Sequence, residues 1–316
     1  MRILITESLD TYSGETSYKV EHSLKASVVI PTFYRSHDLS CLLESLLEQL
    51  AKPMEILVID DTPTNEIKLV CEKYVANFSR VGVTLVHVKS HRERSISIAR
   101  NLGAKMAHGE IVMFLDSDVI LIPDYIEKVL ELFKKHPRVL GIGSWRTFKR
   151  QVPGGIRYHS LQTLRKIFLL NHNSRDSCKS TEYPIVLSRT IYCHWLMGET
   201  MSIRKSVFDE FQFDENLTGY SFGEDFLFSH SIYKKYPDSL LITPCAIAIH
   251  NFSGQGRPKG KELVDIVSRN RKYIPTKLWG SKGLLMFGWQ NLGLLILRVR
   301  AGIRKATLGL SEEVDL

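Results

Sequence analysis

The sequence is most constrained at Glu110–Asp118, where five apolar residues, Ile111-Val112-Met113-Phe114-Leu115, run straight into Asp116-Ser117-Asp118. A short continuous apolar run of this kind suits a strand buried on both faces of a parallel sheet. In such sheets ligands bind in the crevice beyond the carboxyl ends of the strands, which is where the two carboxylates stand. Alternation along an extended chain puts Asp116 and Asp118 on one side, so both can face one hard divalent cation. Mg²⁺ or Mn²⁺ held by one or two carboxylates completes its shell with water and phosphate oxygens. A bare D-x-D is also an ordinary acidic turn; the dry strand ahead of it is what favours a site.

The chain upstream supplies the rest of such a sheet. Residues 1–24 carry little pattern beyond Ile3-Leu4-Ile5 and read as an N-terminal extension, with an apolar run too short for a signal peptide. Ala26–Ile30, Met54–Ile59 and Val83–Val88 read as three further strands. Helical spacing of Leu39, Leu42, Leu43, Leu46, Leu47 and Leu50, with Ser36 or Asp38 as cap, predicts a helix after the first strand. Helices over about 65–78 and 95–107 follow the second and third. Strict alternation of β and α predicts a doubly wound, mostly parallel α/β sheet. Beyond Asp118, a helix is expected over 124–135 and a strand over 139–145. Residues 149–190 read as an acceptor-facing insertion, 192–203 as extended, and Ser206 as the cap of a short helix. A helix over 226–236 and two short strands, 240–242 and 246–250, complete the core.

The net charge of +8 has a location. Residues 257–305 hold twelve basic side chains against Glu262 and Asp265, a local charge of +10, so the remainder stands at −2. An anionic partner for that segment follows, rather than a generally basic protein. The five scattered cysteines include no C-x-x-C pair, which indicates neither a zinc cage nor a disulfide framework and leaves a reducing compartment as the default.

Four strand ends converge on one crevice: Pro31-Thr32, Asp60-Asp61, the helix bearing Arg100-Asn101, and Asp116-x-Asp118. A nucleotide laid across them meets a carboxylate at Asp61 that accepts from a base N–H, and a cation at Asp118 that neutralises its diphosphate. Arg100 adds charge for the phosphates. Asp-Asp-Thr-Pro is equally good turn sequence. His91, Arg92 and Arg94 read either as phosphate contacts or as a solvated basic loop. Tyr192, Trp195 and Phe222 read as a sugar-stacking group or as core.

The blocks Val28-Val29-Ile30-Pro31-Thr32-Phe33-Tyr34-Arg35, Val58-Ile59-Asp60-Asp61, Ser97-Ile98-Ala99-Arg100-Asn101 and Phe114-Leu115-Asp116-Ser117-Asp118 resemble, in order, those of the GT-A glycosyltransferases of family 2. Gly198-Glu199-Thr200-Met201-Ser202-Ile203-Arg204 and Gly223-Glu224-Asp225 extend the resemblance to about residues 25–250. It implies that Pro31, Thr32, Arg35, Asp61, Arg100 and Asp116 bind the nucleotide donor. Asp118 would ligate the metal with Asp116, and His250, at the end of the last strand, would be a third ligand or a polar terminator. The Glu224-Asp225 pair would hold the catalytic base. Trp195, Gly198 and Glu199 would face the acceptor or sugar. Three departures stand out: Ser95 where the family has glycine, Thr62-Pro63 in place of Gly-Ser, and Glu199 where a small or amide residue is commoner.

Inverting transfer needs a carboxylate to take a proton from the acceptor hydroxyl while the anomeric carbon is attacked opposite the leaving diphosphate. Asp225 is the expected base and Glu224 its support; two acids at a helix start also serve as simple capping. Leu284–Val299 is nearly all apolar but short of the roughly 20 residues that span a bilayer, and basic residues flank it. An amphipathic, basic helical segment lying on a membrane surface is expected, as is a covering or dimer-forming helix. No nucleic-acid motif accompanies the charge.

The reading is therefore a GT-A domain over 25–255 with a basic C-terminal segment, 256–316. The expected activity is metal-dependent inverting transfer of one sugar from a nucleotide-diphosphate sugar, with UDP the expected carrier. The acceptor is a glycan or polyprenyl-linked saccharide at the cytoplasmic face of the cell membrane. No Q-x-x-R-W block follows Asp225, which favours single over processive addition. The alternatives are a nucleotidyltransferase, disfavoured by the lack of glycine between Pro31 and Asp38, and a non-catalytic membrane adaptor.

Overall fold

Strand alternation decides the layering of the protein. Val28, Ile30, Ile56, Val58, Met113 and Leu115 point to one face of the sheet, while Val29, Leu57, Ile59, Val112 and Phe114 point to the other, each set inside its own buried cluster. Both faces are apolar because both carry helices. The computed structural model describes residues 23–90, 94–147, 167, 187–251 and 253–308.

The strands are β1 (Ala26–Thr32), β2 (Glu55–Asp60), β3 (Thr84–Lys89), β4 (Ile111–Leu115), β5 (Val119–Leu121), β6 (Gly141–Thr147), β7 (Ile191–Tyr192), β8 (Thr200–Arg204) and β9 (Leu240–His250). The helices are α1 (Ser36–Leu47), α2 (Glu66–Arg80), α3 (Ile96–Met106), α4 (Tyr125–Lys135), α5 (Glu224–Lys235), α6 (Gly260–Trp279) and α7 (Ser281–Leu308), with a 3₁₀ turn at Lys205–Asp209. Among the described residues nine strands form one sheet in the order β3-β2-β1-β4-β8-β6-β9-β5, with β7 alongside β9. The first four strands pair in parallel, as the alternating pattern requires. Beyond β4 the sheet is mixed, because β8 runs back along β4 from Leu115↔Thr200 to Ile111↔Arg204.

The differences from expectation are local. Residues 240–250 form one strand, not two, because β6 and β9 absorb the interruption with a register shift between Ser144 and Trp145. The stretch 193–199 is irregular and folds over the crevice; only Ile191–Tyr192 and Thr200–Arg204 are strands. Ser206 lies within the 3₁₀ turn and caps no α-helix. Ser36 opens α1, with no side-chain cap. The expected insertion over 149–190 falls outside the described residues, apart from Ile167 and residues 187–190.

The C-terminal helices are fastened to the sheet domain rather than appended to it. Asn270 donates its side-chain amide to the Phe222 carbonyl at 2.9 Å, and the Tyr273 hydroxyl donates to Asp214 at 2.8 Å. Among the described residues, no helix is long and apolar enough to cross a membrane.

Candidate active site

Sheet register assembles the first group of side chains. β4 ends at Leu115, the chain crosses Asp116-Ser117-Asp118, and β5 begins opposite the end of β9 with Val119 paired to His250. One ligand atom from each of Asp116, Asp118 and His250 consequently lies within 4.8 Å of the others. Asp118 is buried, with its Oδ1 3.2 Å from His250 Nε2 and 3.0 Å from Arg35 Nη1. Its Oδ2 accepts from the Ser253 N–H at 3.0 Å and lies 3.3 Å from Arg257 Nη2. Burial pushes the Asp118 carboxyl up. The hydrogen bond to His250 and the charges of Arg35, His250 and Arg257 outweigh it and hold the group at about 2. Two carboxylates and an imidazole, the hard and intermediate donors that Mn²⁺ and Mg²⁺ accept, fit a divalent ion with positions left for phosphate oxygens.

Arg100 organises the second group. Its guanidinium is buried and donates to Glu224 Oε1 at 2.6 Å, to Asp116 Oδ1 at 3.1 Å and to the Gly198 carbonyl at 2.9 Å. Read from sequence as a phosphate contact, Arg100 is instead committed to two carboxylates and a carbonyl; it braces the crevice from beneath. Its neighbour Asn101 likewise spends its side chain on the backbone of Phe213 and on Glu215. A Cβ at Gly198 would lie 2.6 Å from Arg100 Nη2, so only glycine permits this approach.

Gly223, at φ +89°, turns the chain into α5 and sets Glu224 and Asp225 in its first turn. Their settings differ. Glu224 is buried against Arg100, and burial first, then the neighbouring Asp225, pushes its carboxyl up to about 8 with Arg100 opposing. Asp225 is partly exposed on the crevice wall. Its Oδ2 accepts from the Gly198 N–H at 2.9 Å and its Oδ1 from the Phe226 N–H at 2.7 Å. Burial raises Asp225 above the ordinary carboxylate range against Arg100 and those two amides. Gly198 thus grips both partners, its N–H on Asp225 and its carbonyl on Arg100.

At the far end of the crevice the two adjacent aspartates divide. Asp60 is buried and paired with His87 at 3.0 Å and Lys89 at 3.2 Å, a structural anchor. Asp61 lines the crevice, its carboxyl raised by burial against the Ser90 hydroxyl, the Ser95 N–H and the charge of Arg94. The Thr62 hydroxyl accepts from the Tyr34 N–H at 2.9 Å, so this departure from the family pattern serves the loop. Ser95 caps α3 and donates to the Leu217 carbonyl at 2.9 Å, tying that helix start to the segment before Gly223. Arg94 stacks 3.7 Å above the Phe33 ring and donates to the Gly256 carbonyl. His91 and Arg92 lie outside the described residues.

Asp61, Arg100, Asp116, Glu224, Asp225 and His250 share one hollow of about 680 Å³, which Pro31, Thr32, Trp195 and Glu199 also line, while Asp118 is buried and does not line it. Trp195 is buried with its ring edge-on to Phe226 at 5.9 Å, and Phe222 stands exposed at the rim. Tyr192, grouped with them from sequence, is elsewhere: it borders a separate hollow with His136 and Glu210. Sequence reading missed Tyr220 and gave Arg257 only as one of a basic run. It also placed the domain boundary at 255, yet Val267, Arg271 and Ile274 of α6 and Leu294 and Leu297 of α7 wall the same hollow. An arginine seven residues past His250 carries no local signal; its approach to Asp118 exists only in three dimensions.

Comparison with known proteins agrees with this geometry. A family model described as "Glycosyl transferase family 2" matches residues 27–198, more than half of the chain. The chain is 24% identical to the uncharacterized glycosyltransferase YwdF of Bacillus subtilis over 86% of its length and 90% of that protein's. It is 28% identical to the glucosyl-dolichyl phosphate glucuronosyltransferase of Haloferax volcanii, over 38% of the chain and 37% of that relative. Several curated relatives are thus matched over only about a third of their own length. Among solved structures, GalNAc-T7 with UDP, GalNAc and Mn²⁺ superposes with a TM-score of 0.54 at 18% identity, over 78% of this chain and 48% of that one. Residues 1–349 of S. aureus TarS with UDP-GlcNAc superpose with a TM-score of 0.51 at 18% identity, over 84% and 71%. Both likenesses speak to the fold, which is GT-A. With its strand-end aspartates, its mixed sheet and its matched N-terminal blocks, the chain belongs to glycosyl transferase family 2.

Proposed function

We propose that the protein is a metal-dependent, inverting glycosyltransferase that moves one sugar from a nucleotide-diphosphate sugar, UDP-linked, to an acceptor hydroxyl. The observation that carries this reading is the meeting of Asp116, Asp118 and His250 within 4.8 Å, with Asp116 and His250 lining the same hollow as Asp225 and Asp118 buried against them. Asp116, Asp118 and His250 would hold Mn²⁺ or Mg²⁺, which when bound neutralises charge on the leaving diphosphate. Asp61 accepts from the base, and Arg35 and Arg257 supply positive charge beside the phosphates. Asp225 takes the proton from the acceptor hydroxyl as its oxygen bonds to the anomeric carbon. The bond from that carbon to the diphosphate oxygen breaks on the opposite face, so the configuration inverts. Glu224 and Arg100 hold Asp225 and Asp116 in place. UDP in the structural relatives and dolichyl phosphate in the name of a sequence relative support a nucleotide donor and a lipid-linked acceptor. The nucleotidyltransferase alternative falls away with family membership.

The acceptor reading also draws on α7. Leu284, Leu285, Trp289, Leu292, Leu295 and Ile296 are exposed along it, with Lys282 at one end and Arg298, Arg300 and Arg304 at the other. An apolar stripe between basic clusters suits the surface of an anionic membrane, and we place the protein at the inner face of the cell membrane. Trp289 also donates its indole N–H to the Ile167 carbonyl at 2.9 Å, which anchors that face to the chain.

The test is calorimetric titration with UDP in Mn²⁺ and in EDTA, together with hydrolysis of UDP-sugars. Mn²⁺-dependent binding and slow hydrolysis are expected. Binding unaffected by EDTA would remove the metal, and absence of both would leave a non-catalytic protein.

A further inference from the structure

Five arginines border the hollow, and four are accounted for. Arg35 and Arg257 lie on Asp118, Arg100 on Glu224 and Asp116, and the charge of Arg94 falls on Asp61. The fifth, Arg271, has no carboxylate within ion-pair reach among the described residues; its one hydrogen bond is to Gln290 Oε1 at 3.5 Å. Burial lowers its pKa with no opposing charge beside it. A partly buried guanidinium without a counter-charge is costly unless an anion visits it.

Its position says which anion. Val267, Arg271 and Ile274 recur at i, i+4 and i+7 on α6, so they share the helix face that walls the hollow. Leu294 and Leu297 of α7 line the other side, and Gln290, on the same helix face one turn earlier, is buried. That wall abuts the catalytic turn: a Cβ on Gly223 would lie 2.7 Å from Ile274 Cδ1, and Asn270 holds the Phe222 carbonyl. Arg271 therefore stands on the side of Glu224 and Asp225, in apolar surroundings. The donor's diphosphate has its own cations, Arg35 and Arg257, at Asp118.

We propose that Arg271 is the acceptor's anion-binding residue, receiving a phosphate or phosphodiester joined to an apolar chain that lies along Leu294 and Leu297. This rests on the reading of the hollow as a donor and acceptor site. Guanidinium and phosphate form paired, charge-assisted hydrogen bonds, with Gln290 steadying one edge of the guanidinium.

The probes are farnesyl phosphate, farnesol and inorganic phosphate, titrated into the full chain holding Mn²⁺ and UDP and followed by tryptophan fluorescence. Farnesyl phosphate is expected to bind at least about tenfold more tightly than farnesol or inorganic phosphate. Arg271→Gln is expected to bring farnesyl phosphate to the level of farnesol, with Kd for UDP within about twofold of the parent. Arg271→Lys, which keeps the charge, is expected to retain part of the preference and guards against misfolding of the first variant. Equal binding of farnesyl phosphate and farnesol by the parent overturns the proposal. So does inorganic phosphate binding as tightly as farnesyl phosphate, which would make the site one for a free ion. A parallel loss of UDP affinity in Arg271→Gln overturns it too, by assigning the residue to the donor. If the parent fails to bind UDP at all, the functional reading itself falls and this inference with it; UDP binding without discrimination sinks the inference alone.

Discussion

At the scale of single residues, the site depends on carboxylates made unlike one another by their surroundings. Asp225 faces the hollow and is held by two backbone amides, whereas Glu224 is locked onto Arg100 at 2.6 Å. Asp225→Asn is therefore expected to keep UDP affinity and lower transfer by roughly 10²–10⁴-fold, as loss of a general base does; titration and a transfer assay on one preparation separate the two. Both carboxyls are raised, and a base works only when deprotonated, so kcat/KM should climb with pH through a limb lying above the ordinary carboxylate range near 4. That limb belongs to the pair. A profile already flat at about pH 4 would show that neither carboxylate is the base. Gly198→Ala should drive its new methyl into Arg100, displacing the brace under Asp116 and Asp225, with a loss of kcat of roughly a hundredfold for a shift of about an ångström. Asp118→Ala should end Mn²⁺-dependent UDP binding, read by calorimetry.

Among elements, β4 carries both stability and placement. Phe114 is fully buried and meets Phe208 and Phe213 edge-on at 5.8 and 5.3 Å. Phe114→Ala should cost about 3–5 kcal/mol in denaturant unfolding. The parallel half of the sheet was legible in sequence because each strand there is a short apolar run closed by a polar turn. β5 is three residues long, and the pairing of β8 on β4 joins segments far apart in the chain, so neither leaves a local pattern. The same divide runs through the site. Asp61, Asp116, Asp118 and Asp225 end or begin regular elements, where spacing can find them. Arg100 was legible too, but its bonds to the distant Glu224 and Gly198 exist only in the fold. Asp60 and Asp61 are neighbours in sequence, yet only the fold shows that Lys89 and His87 claim the first.

For the molecule as a whole, the basic segment has two duties that a charge count merges. Arg257 and Arg271 line the hollow, while Lys282 and the basic residues from Arg298 onward lie at the two ends of α7. If α7 rests on an anionic membrane, co-sedimentation with vesicles containing phosphatidylglycerol should fall sharply from 0.1 to 1 M salt, as the screening length drops from about 10 to about 3 Å. Binding that ignores both salt and lipid charge would leave α7 as a covering helix only. The family match stops at residue 198, before the turn that bears Asp225, before His250 and before the two helices that wall the hollow are reached. On the proposed reading, donor chemistry and recipient choice would be written in successive stretches of one chain. Relatives sharing the first stretch could then diverge in the second, handing the same activated sugar to different takers by rebuilding a single pair of helices.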